Sequence, residues 1–195
     1  MNQNINRPFL LNIRNIIKFI IKPVFHTFRK FTIIGKDNLP KKGPYILISN
    51  HATFIDSIYF ICAVPFRFVI CGAKPKYFTS FIKRTILGIA NIIKVETKEQ
   101  FINDCSKLLK NKEVILIYPE MGRNAEAMGM FKIWAAEVAL KNGCPIIPCY
   151  LYGTTKDQDK KIKLIIGSSF LPEKTPELLT CDMRQKILSL KGSIG

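Results

Sequence analysis

The sequence predicts an α/β protein in which a mostly parallel central sheet is flanked by helices and preceded by an N-terminal amphipathic helical arm. Short apolar runs bounded by Gly, Pro and Asn alternate with segments whose apolar residues recur at helical spacing. Runs such as VILIY at 114–118 are apolar throughout, which is typical of parallel strands buried on both faces. Apolar residues make up 48% of the 195-residue chain, too many for a disordered protein.

The first predicted element is the arm, assigned to residues 1–30, whose core is the segment NRPFLLNIRNIIKFIIKP. Asn6 is a suitable N-cap, Pro8 opens the helix and Pro23 ends or kinks it. Its polar face is entirely basic, which is typical of a helix lying in a membrane interface. The alternative is a helix that packs its apolar face on its own domain. The basic residues are Arg7, Arg14, Lys18 and Lys22, and the apolar residues opposite them are Phe9, Leu10, Ile13, Ile16, Ile17, Ile20 and Ile21.

Residues 31–195 are predicted to form one α/β domain, because no internal repeat or linker interrupts the alternation of apolar runs and helical patterns. Apolar runs predict the strands, and apolar residues at three- and four-residue spacing predict the helices. In order, we expect strands near 31–34 and 45–48, a helix at 54–63, a strand at 67–71, a helical region at 76–90, a strand at 92–95, a helix at 98–110, strand VILIY at 114–118, a helix at 131–142, strands at 146–152 and 163–167, and a last helix at 176–190.

The charge balance predicts an anionic partner, since 30 Lys and Arg against 14 Asp and Glu give a net charge of +16. Nucleic acid is not expected, because the chain has no recognition motif or zinc spacing. We expect no secretory signal, because charge interrupts the N-terminal apolar stretch, and we expect no spanning helix, because no run approaches the ~20 uncharged apolar residues that it needs. The six cysteines form no C-x-x-C pair and no metal-ligand pattern, so we expect reduced core thiols in a reducing compartment. They are Cys62, Cys71, Cys105, Cys144, Cys149 and Cys181.

One candidate for chemistry is the stretch SNHATFIDSIYF at 49–60, at a predicted strand-to-helix turn. His51 lies in the turn, and Asp56 lies near the positive end of the helix, where a carboxylate stays ionised. A carboxylate on one imidazole nitrogen fixes the tautomer and makes the other nitrogen a better base. The alternative is a structural histidine beside a capping aspartate.

A second candidate is the stretch YPEMGRNAEAMGMFK, which follows the buried strand at 114–118. Loops at the carboxyl ends of parallel strands are where α/β folds build their sites. Glu120 and Arg123 could pair with each other, or Glu120 could organise the loop while Arg123 binds a phosphate. Lys132 adds positive charge near the start of the next helix, and Lys74 ends another strand.

Together these stretches resemble the glycerolipid acyltransferases typified by 1-acylglycerol-3-phosphate acyltransferase. The N-H-x4-D motif of the family corresponds to Asn50, His51 and Asp56, and Thr53 stands where the family usually has Ser. Its P-E-G-T-R-S loop corresponds to 119–124 and is followed by Phe-Lys, and its V-P-I-I-P segment corresponds to CPIIP at 144–148. The resemblance covers about residues 33 to 167.

The resemblance implies transfer of a fatty acyl group from acyl-CoA or acyl-carrier protein to the hydroxyl of a lysophospholipid, in phospholipid biosynthesis. His51 is then the base and Asp56 orients it. Lys74, Glu120, Arg123 and Lys132 form the substrate site, in which the basic side chains hold an anionic headgroup, and backbone N–H groups near Gly122 face the oxyanion. No metal or cofactor is required. The arm and the patch FTSFIKR at 78–84 would dock the enzyme on the cytoplasmic face of a membrane as a peripheral or monotopic protein.

The sequence departs from the family pattern at two places that concern the substrate. Met121 replaces the usual Gly of the loop, and only Ala73-Lys74 represents the second motif, since Glu96 and Thr97 stand where its arginine is expected. The acceptor headgroup therefore stays open, and a lyso-aminolipid is the alternative acceptor. The other alternative is a catalytically silent lipid-binding relative.

Overall fold

The structure is a computed structural model that describes part of the chain, in which strands and helices alternate along one sheet. The strands are β1 (Thr32–Ile34), β2 (Tyr45–Ser49), β3 (Val69–Ala73), β4 (Ile93–Lys94), β5 (Val114–Ile117), β6 (Ile146–Tyr152) and β7 (Lys163–Ile166). The α-helices are α1 (Asp56–Ala63), α2 (Lys98–Lys110), α3 (Trp134–Asn142) and α4 (Pro176–Gly192). The described residues are 19, 30–41, 43–64, 69–75, 79–80, 92–155 and 161–193.

In the described residues the strands form a seven-stranded sheet in the order β1-β7-β6-β2-β5-β3-β4. All neighbouring strands are parallel except β6 and β7, which are antiparallel. The central strand β2 pairs with β5 on one side and β6 on the other, so that Ile46 lies between Ile115 and Ile146. This arrangement confirms the predicted mostly parallel sheet flanked by helices.

The central strands are apolar throughout because each of them is covered on both faces. Leu47 and Leu116 belong to the core on the side of α1, where they pack with Tyr59 and Phe60. Their neighbours Ile46 and Ile115 point to the opposite core, which α2, α3 and α4 cover. Continuous burial of this kind explains why the sequence shows unbroken apolar runs rather than alternation.

The parallel pairing places the residues after β2, β3, β5 and β6 at the same edge of the sheet. His51 follows β2, Lys74 follows β3, and the segment 118–133 joins β5 to α3. In α/β sheets this carboxyl edge is where ligands bind. The fold therefore brings both candidate stretches of the sequence to one place.

Most predicted boundaries agree with the structure to within one residue, and four elements differ by more. β3 begins and ends two residues later than predicted, and α1 begins at Asp56 rather than at 54. The helix α4 ends at Gly192 rather than at 190, and α3 begins at Trp134 rather than at 131. The late start of α3 has a local cause, because the Lys132 N–H donates to the Pro119 carbonyl across the loop. The arm at 1–30 and the helical region at 76–90 lie almost wholly outside the described residues, as does the patch at 78–84.

The prediction of core thiols is correct for four of the cysteines whose side chains the structure describes and wrong for the last helix. Those four are free and buried, whereas Cys181 is free but exposed on α4. The side chain of Cys71 lies outside the described part of the structure. Burial raises the pKa of the Cys105 and Cys149 thiols far above their usual range, so that both stay protonated. The buried cysteines are Cys62, Cys105, Cys144 and Cys149.

Candidate active site

His51 and Asp56 meet at the turn between β2 and α1. The ring nitrogen Nδ1 of His51 lies 3.0 Å from Oδ2 of Asp56. Because an ionised carboxylate only accepts hydrogen bonds, Nδ1 carries the proton, which leaves Nε2 as the basic nitrogen. In the described part of the chain, no hydrogen bond is made to Nε2. The turn thus holds an oriented imidazole whose free nitrogen can accept a proton.

The Asp56 carboxylate is buried, with 1% of its side chain exposed, and the turn supplies its hydrogen-bond donors. Oδ2 accepts from the backbone N–H of Ala52 at 2.7 Å and of Thr53 at 2.9 Å. Oδ1 accepts from the Thr53 hydroxyl at 2.5 Å. Burial alone would raise the pKa of Asp56, but the hydrogen bonds from His51, Thr53 and Ala52 outweigh it and hold that pKa below its usual value. Asp56 is therefore ionised at neutral pH.

Glu120 binds the second loop to the histidine turn. Its Oε1 accepts from the His51 backbone N–H at 3.2 Å. Its Oε2 accepts from the Asn124 side-chain amide at 2.5 Å and from the Gly129 N–H at 2.7 Å. In addition, the Asn124 N–H donates to the His51 carbonyl at 2.8 Å. Since both oxygens of this buried carboxylate meet donors of the protein, the geometry is that of a loop-organising residue, not that of a partner of Arg123.

Met121, which replaces the usual Gly of the family loop, has a φ of 53° in the left-handed region. Its N–H donates to the Tyr118 carbonyl, which closes a tight turn directly after β5. A side chain in this conformation costs roughly 1–2 kcal/mol, whereas Gly adopts it freely. The adjacent bonds of Glu120 hold the turn closed in spite of that cost.

The face of the His51 ring is covered by Tyr118. The two ring centroids are 3.9 Å apart and the ring planes differ by 11°, which is a stacked arrangement. The Tyr118 hydroxyl lies 3.0 Å from the hydroxyl of Ser57, the second residue of α1. The first two residues of α1 therefore support the imidazole in different ways. Asp56 binds its Nδ1 edge, and Ser57 contacts the hydroxyl of Tyr118, whose ring covers the imidazole face.

The remaining predicted site residues lie at the same edge of the sheet. Arg123 and Lys132 are exposed in the segment between β5 and α3, and Lys74 is exposed directly after β3. Gly122 is half-buried, and its N–H makes no hydrogen bond within the described structure. The fold thus places three cations and a free backbone donor in the segments after β3 and β5, at the edge of the sheet that also holds His51.

The sequence did not reveal several residues that support the site. The spacing of Thr53 three residues before Asp56 is a turn pattern that could have identified the hydroxyl contact. Asn124 and Tyr118 contact His51 across the fold, and Gly129 contacts Glu120 from a distant part of the same loop, so no local pattern predicts them. Asn50 is a further case, because its side-chain amide bonds to both the N–H and the carbonyl of Leu151 in β6.

The described residues contain no group of three or more His, Cys, Asp or Glu side chains placed to hold a metal ion. None of their helices is long and apolar enough to cross a membrane.

The comparisons with known proteins point to one family. A family model described as Acyltransferase matches residues 30–152. A 1-acyl-sn-glycerol-3-phosphate acyltransferase of Chlamydomonas reinhardtii is 29% identical over 83% of this chain and 53% of its own length. The protein of that name from Borreliella burgdorferi is 29% identical over 72% of this chain and 58% of its own length. The chain thus spans about half the length of the curated relatives it matches.

A solved structure has the same fold. The crystal structure of the 1-acyl-sn-glycerophosphate (LPA) acyltransferase PlsC from Thermotoga maritima superposes with a TM-score of 0.71. The match covers 96% of this chain and 89% of that one. At 16% identity, this likeness supports the fold alone.

The three hydrogen bonds of Glu120 predict that Glu120→Gln lowers the free energy of unfolding by about 1.5–3 kcal/mol. The glutamine side chain would present an NH₂ group where the His51, Asn124 and Gly129 donors need an acceptor oxygen. It would also lack the negative charge of Glu120, which strengthens these hydrogen bonds. Chemical denaturation measures the change.

Glu126→Gln is the matched control, because Glu126 is exposed on the same loop and its replacement should change stability by less than about 0.5 kcal/mol. Equal effects of the two substitutions would contradict the role given to Glu120.

Proposed function

This chain belongs to the acyltransferase family, and we propose that it transfers a fatty acyl group from acyl-CoA or acyl-carrier protein to the free hydroxyl of a lysophospholipid. The acceptor that we propose is 1-acylglycerol-3-phosphate, the substrate in the names of its relatives. The observation that carries the proposal is the His51–Asp56 pair, with Nδ1 bonded to an ionised carboxylate and Nε2 free. Such a pair suits a reaction that begins with removal of a hydroxyl proton.

In the proposed reaction, His51 Nε2 takes the proton of the acceptor hydroxyl as its oxygen attacks the thioester carbonyl. The C–S bond then breaks, the ester forms, and the imidazolium returns its proton to the leaving thiolate. Asp56 stabilises the imidazolium and holds the ring in the required tautomer. The Gly122 N–H, which lacks an acceptor in the described structure, is our candidate donor to the developing oxyanion.

The proposed reaction passes through no acyl-enzyme, since a thioester is already an activated acyl group. The described thiols support this view. Cys62, Cys105, Cys144 and Cys149 are buried, and Cys181 lies on α4. Burial raises the pKa of the Cys144 thiol, which further disfavours a nucleophilic thiolate at neutral pH.

The proposed headgroup site consists of Arg123, Lys132 and Lys74 at the carboxyl edge. The guanidinium of an arginine matches the oxygens of a phosphate better than an ammonium does. All three side chains are exposed, and the net charge of +16 favours the approach of anionic acceptors and donors. These features support a phosphate-bearing acceptor.

One observation favours a different acceptor, such as a lyso-aminolipid. The family arginine of the second motif is expected where Glu96 and Thr97 stand, and here both residues have structural roles. The Thr97 side chain caps α2 by accepting from the Gln100 N–H, and Glu96 pairs with Lys94. This position therefore offers no cation to a phosphate, which keeps the second acceptor class as an alternative.

We place the enzyme on the cytoplasmic face of a membrane as a peripheral or monotopic protein, held by the arm at 1–30 and the patch at 78–84. The described residues add an apolar rim, defined as Phe54 and Met130, which are 63% and 81% exposed. Phe54 lies three residues after His51, and Met130 follows Gly129, whose N–H binds Glu120. Both residues belong to the two segments that Glu120 joins, at the edge of the sheet that holds His51, and we propose that a lipid acceptor enters there.

Lipid mass spectrometry tests the proposed function directly. With a labelled acyl thioester and a panel of lysolipids, the parent should form labelled phosphatidate, and His51→Ala should lower the rate about 10²–10⁴-fold. Asp56→Asn should keep a small residual rate, because the ring remains but its tautomer is no longer fixed.

The control is substitution of the chain's other histidine, His26→Ala, which should retain the parental rate. Transfer by purified His51→Ala at the parental rate would show that His51 is not the base. Transfer only to phosphate-free lysolipids would favour the alternative acceptor.

Steady-state kinetics test the headgroup site. Arg123→Ala should lower kcat/KM for lysophosphatidate roughly 10- to 150-fold, mainly through the KM of the acceptor, since a charge-assisted contact is worth about 1.5–3 kcal/mol. Arg123→Lys should recover part of the loss. An equal loss with a phosphate-free lysolipid would instead assign Arg123 to loop architecture.

Vesicle sedimentation tests membrane attachment. Deletion of residues 1–22 should lower binding to anionic vesicles, and high salt should lower binding of the parent, because it screens the basic face. The double variant Phe54→Ser, Met130→Ser should bind more weakly than the parent, because it loses the exposed apolar rim.

Leu178→Ser is the control for the rim, since Leu178 is an exposed apolar residue on α4. Unchanged sedimentation after the deletion would favour packing of the arm on its own domain.

A further inference from the structure

Tyr118 differs from the other residues of the site because it contacts the proposed base without taking part in the proposed proton transfer. Its ring lies face to face with the His51 ring at a centroid distance of 3.9 Å and an angle of 11°. The side chain of Asp56 holds only the Nδ1 edge of the imidazole. A hydrogen bond at one edge leaves the ring free to tilt about that bond, and a flat partner on its face removes this freedom.

Tyr118 is itself held in place from three directions. Its backbone directly follows β5, and its carbonyl accepts from the Met121 N–H in the tight turn. Its hydroxyl meets Ser57 on α1 at 3.0 Å, and Phe60 contacts the ring edge-on at a centroid distance of 6.4 Å. With 8% of its surface exposed, Tyr118 is part of the packed core as well as of the site. A rigid ring of this kind is suited to fix the plane of its neighbour.

We propose that Tyr118 is a positioning residue for the acyl transfer, which fixes the plane of the His51 ring and stabilises the imidazolium formed when Nε2 takes the proton. This inference rests on the proposed function. The chemistry follows from the stack, because an aromatic face carries negative charge density that attracts a cation placed over it. The attraction is larger for the imidazolium than for the neutral ring, so Tyr118 favours the protonated state that follows attack.

The stack predicts a specific pattern in the kinetics of three variants. Tyr118→Leu, which cannot stack, should lower kcat about 2- to 30-fold while the KM values for donor and acceptor stay near those of the parent. Tyr118→Phe keeps the ring and loses the hydroxyl that meets Ser57, so it should retain most of kcat. Phe101→Leu is the matched control, because Phe101 is a buried aromatic residue in the core on the other face of the sheet. It should lower stability and leave kcat of the folded enzyme unchanged.

Proton NMR of the histidine rings tests the stack independently of activity. The chain has two histidines, so the His51→Ala variant assigns the His51 ring protons. In the parent and in Tyr118→Phe, these protons should be shifted upfield by the stacked ring, and in Tyr118→Leu the shift should vanish.

Three results would overturn specific parts of the account. A parental kcat in Tyr118→Leu overturns this inference while leaving the proposed function intact. Ring protons of His51 that lack the upfield shift in the parent overturn the stack itself. A parent that transfers no acyl group overturns the proposed function, and with it the role of Tyr118 in the reaction, whatever the NMR spectra show.

Discussion

The parallel pairing of β2 with β5 is the constraint on which the site depends. It places the turn after β2 and the loop after β5 at one edge, close enough for Glu120 to accept from the His51 backbone. The same pairing brings Tyr118, the first residue after β5, onto the face of the His51 ring. The stretch after β2 supplies the His51–Asp56 pair, and the stretch after β5 supplies the Glu120 and Tyr118 side chains that support it. The sheet brings the two stretches together. The site therefore depends on a fold that buries the apolar strands between helices on both faces.

Two buried carboxylates then fix the geometry. Burial of a charge is costly unless donors surround it, and Asp56 and Glu120 each have three or more donors. Most of these donors are backbone N–H groups, so the carboxylates order the loops themselves. The result is an imidazole held in a set orientation before any substrate arrives. This preorganisation is what general-base catalysis requires of a protein.

The sequence predicted the regular elements well and the contacts of the site only in part. Helix 98–110 and strand 146–152 match the structure at both ends, because local apolar patterns suffice to define them. The His51–Asp56 contact was predictable, since both residues belong to one turn. The start of α3 was not, because a hydrogen bond to Pro119 keeps Lys132 in the loop. The bond of Glu120 to His51 likewise depends on how two loops meet, and its bonds to Asn124 and Gly129 depend on how one irregular loop folds back on itself. No local spacing encodes either arrangement.

The central claim is that His51 activates the acceptor for direct attack on the thioester. Its most direct test is a single-turnover measurement of thiol release from the acyl donor, with and without lysolipid, combined with the intact mass of the protein. With direct attack, thiol release should require the lysolipid, and the protein should never gain the mass of an acyl group. Release of one thiol per protein by the donor alone, with a matching acyl adduct formed as fast as turnover, would contradict direct attack.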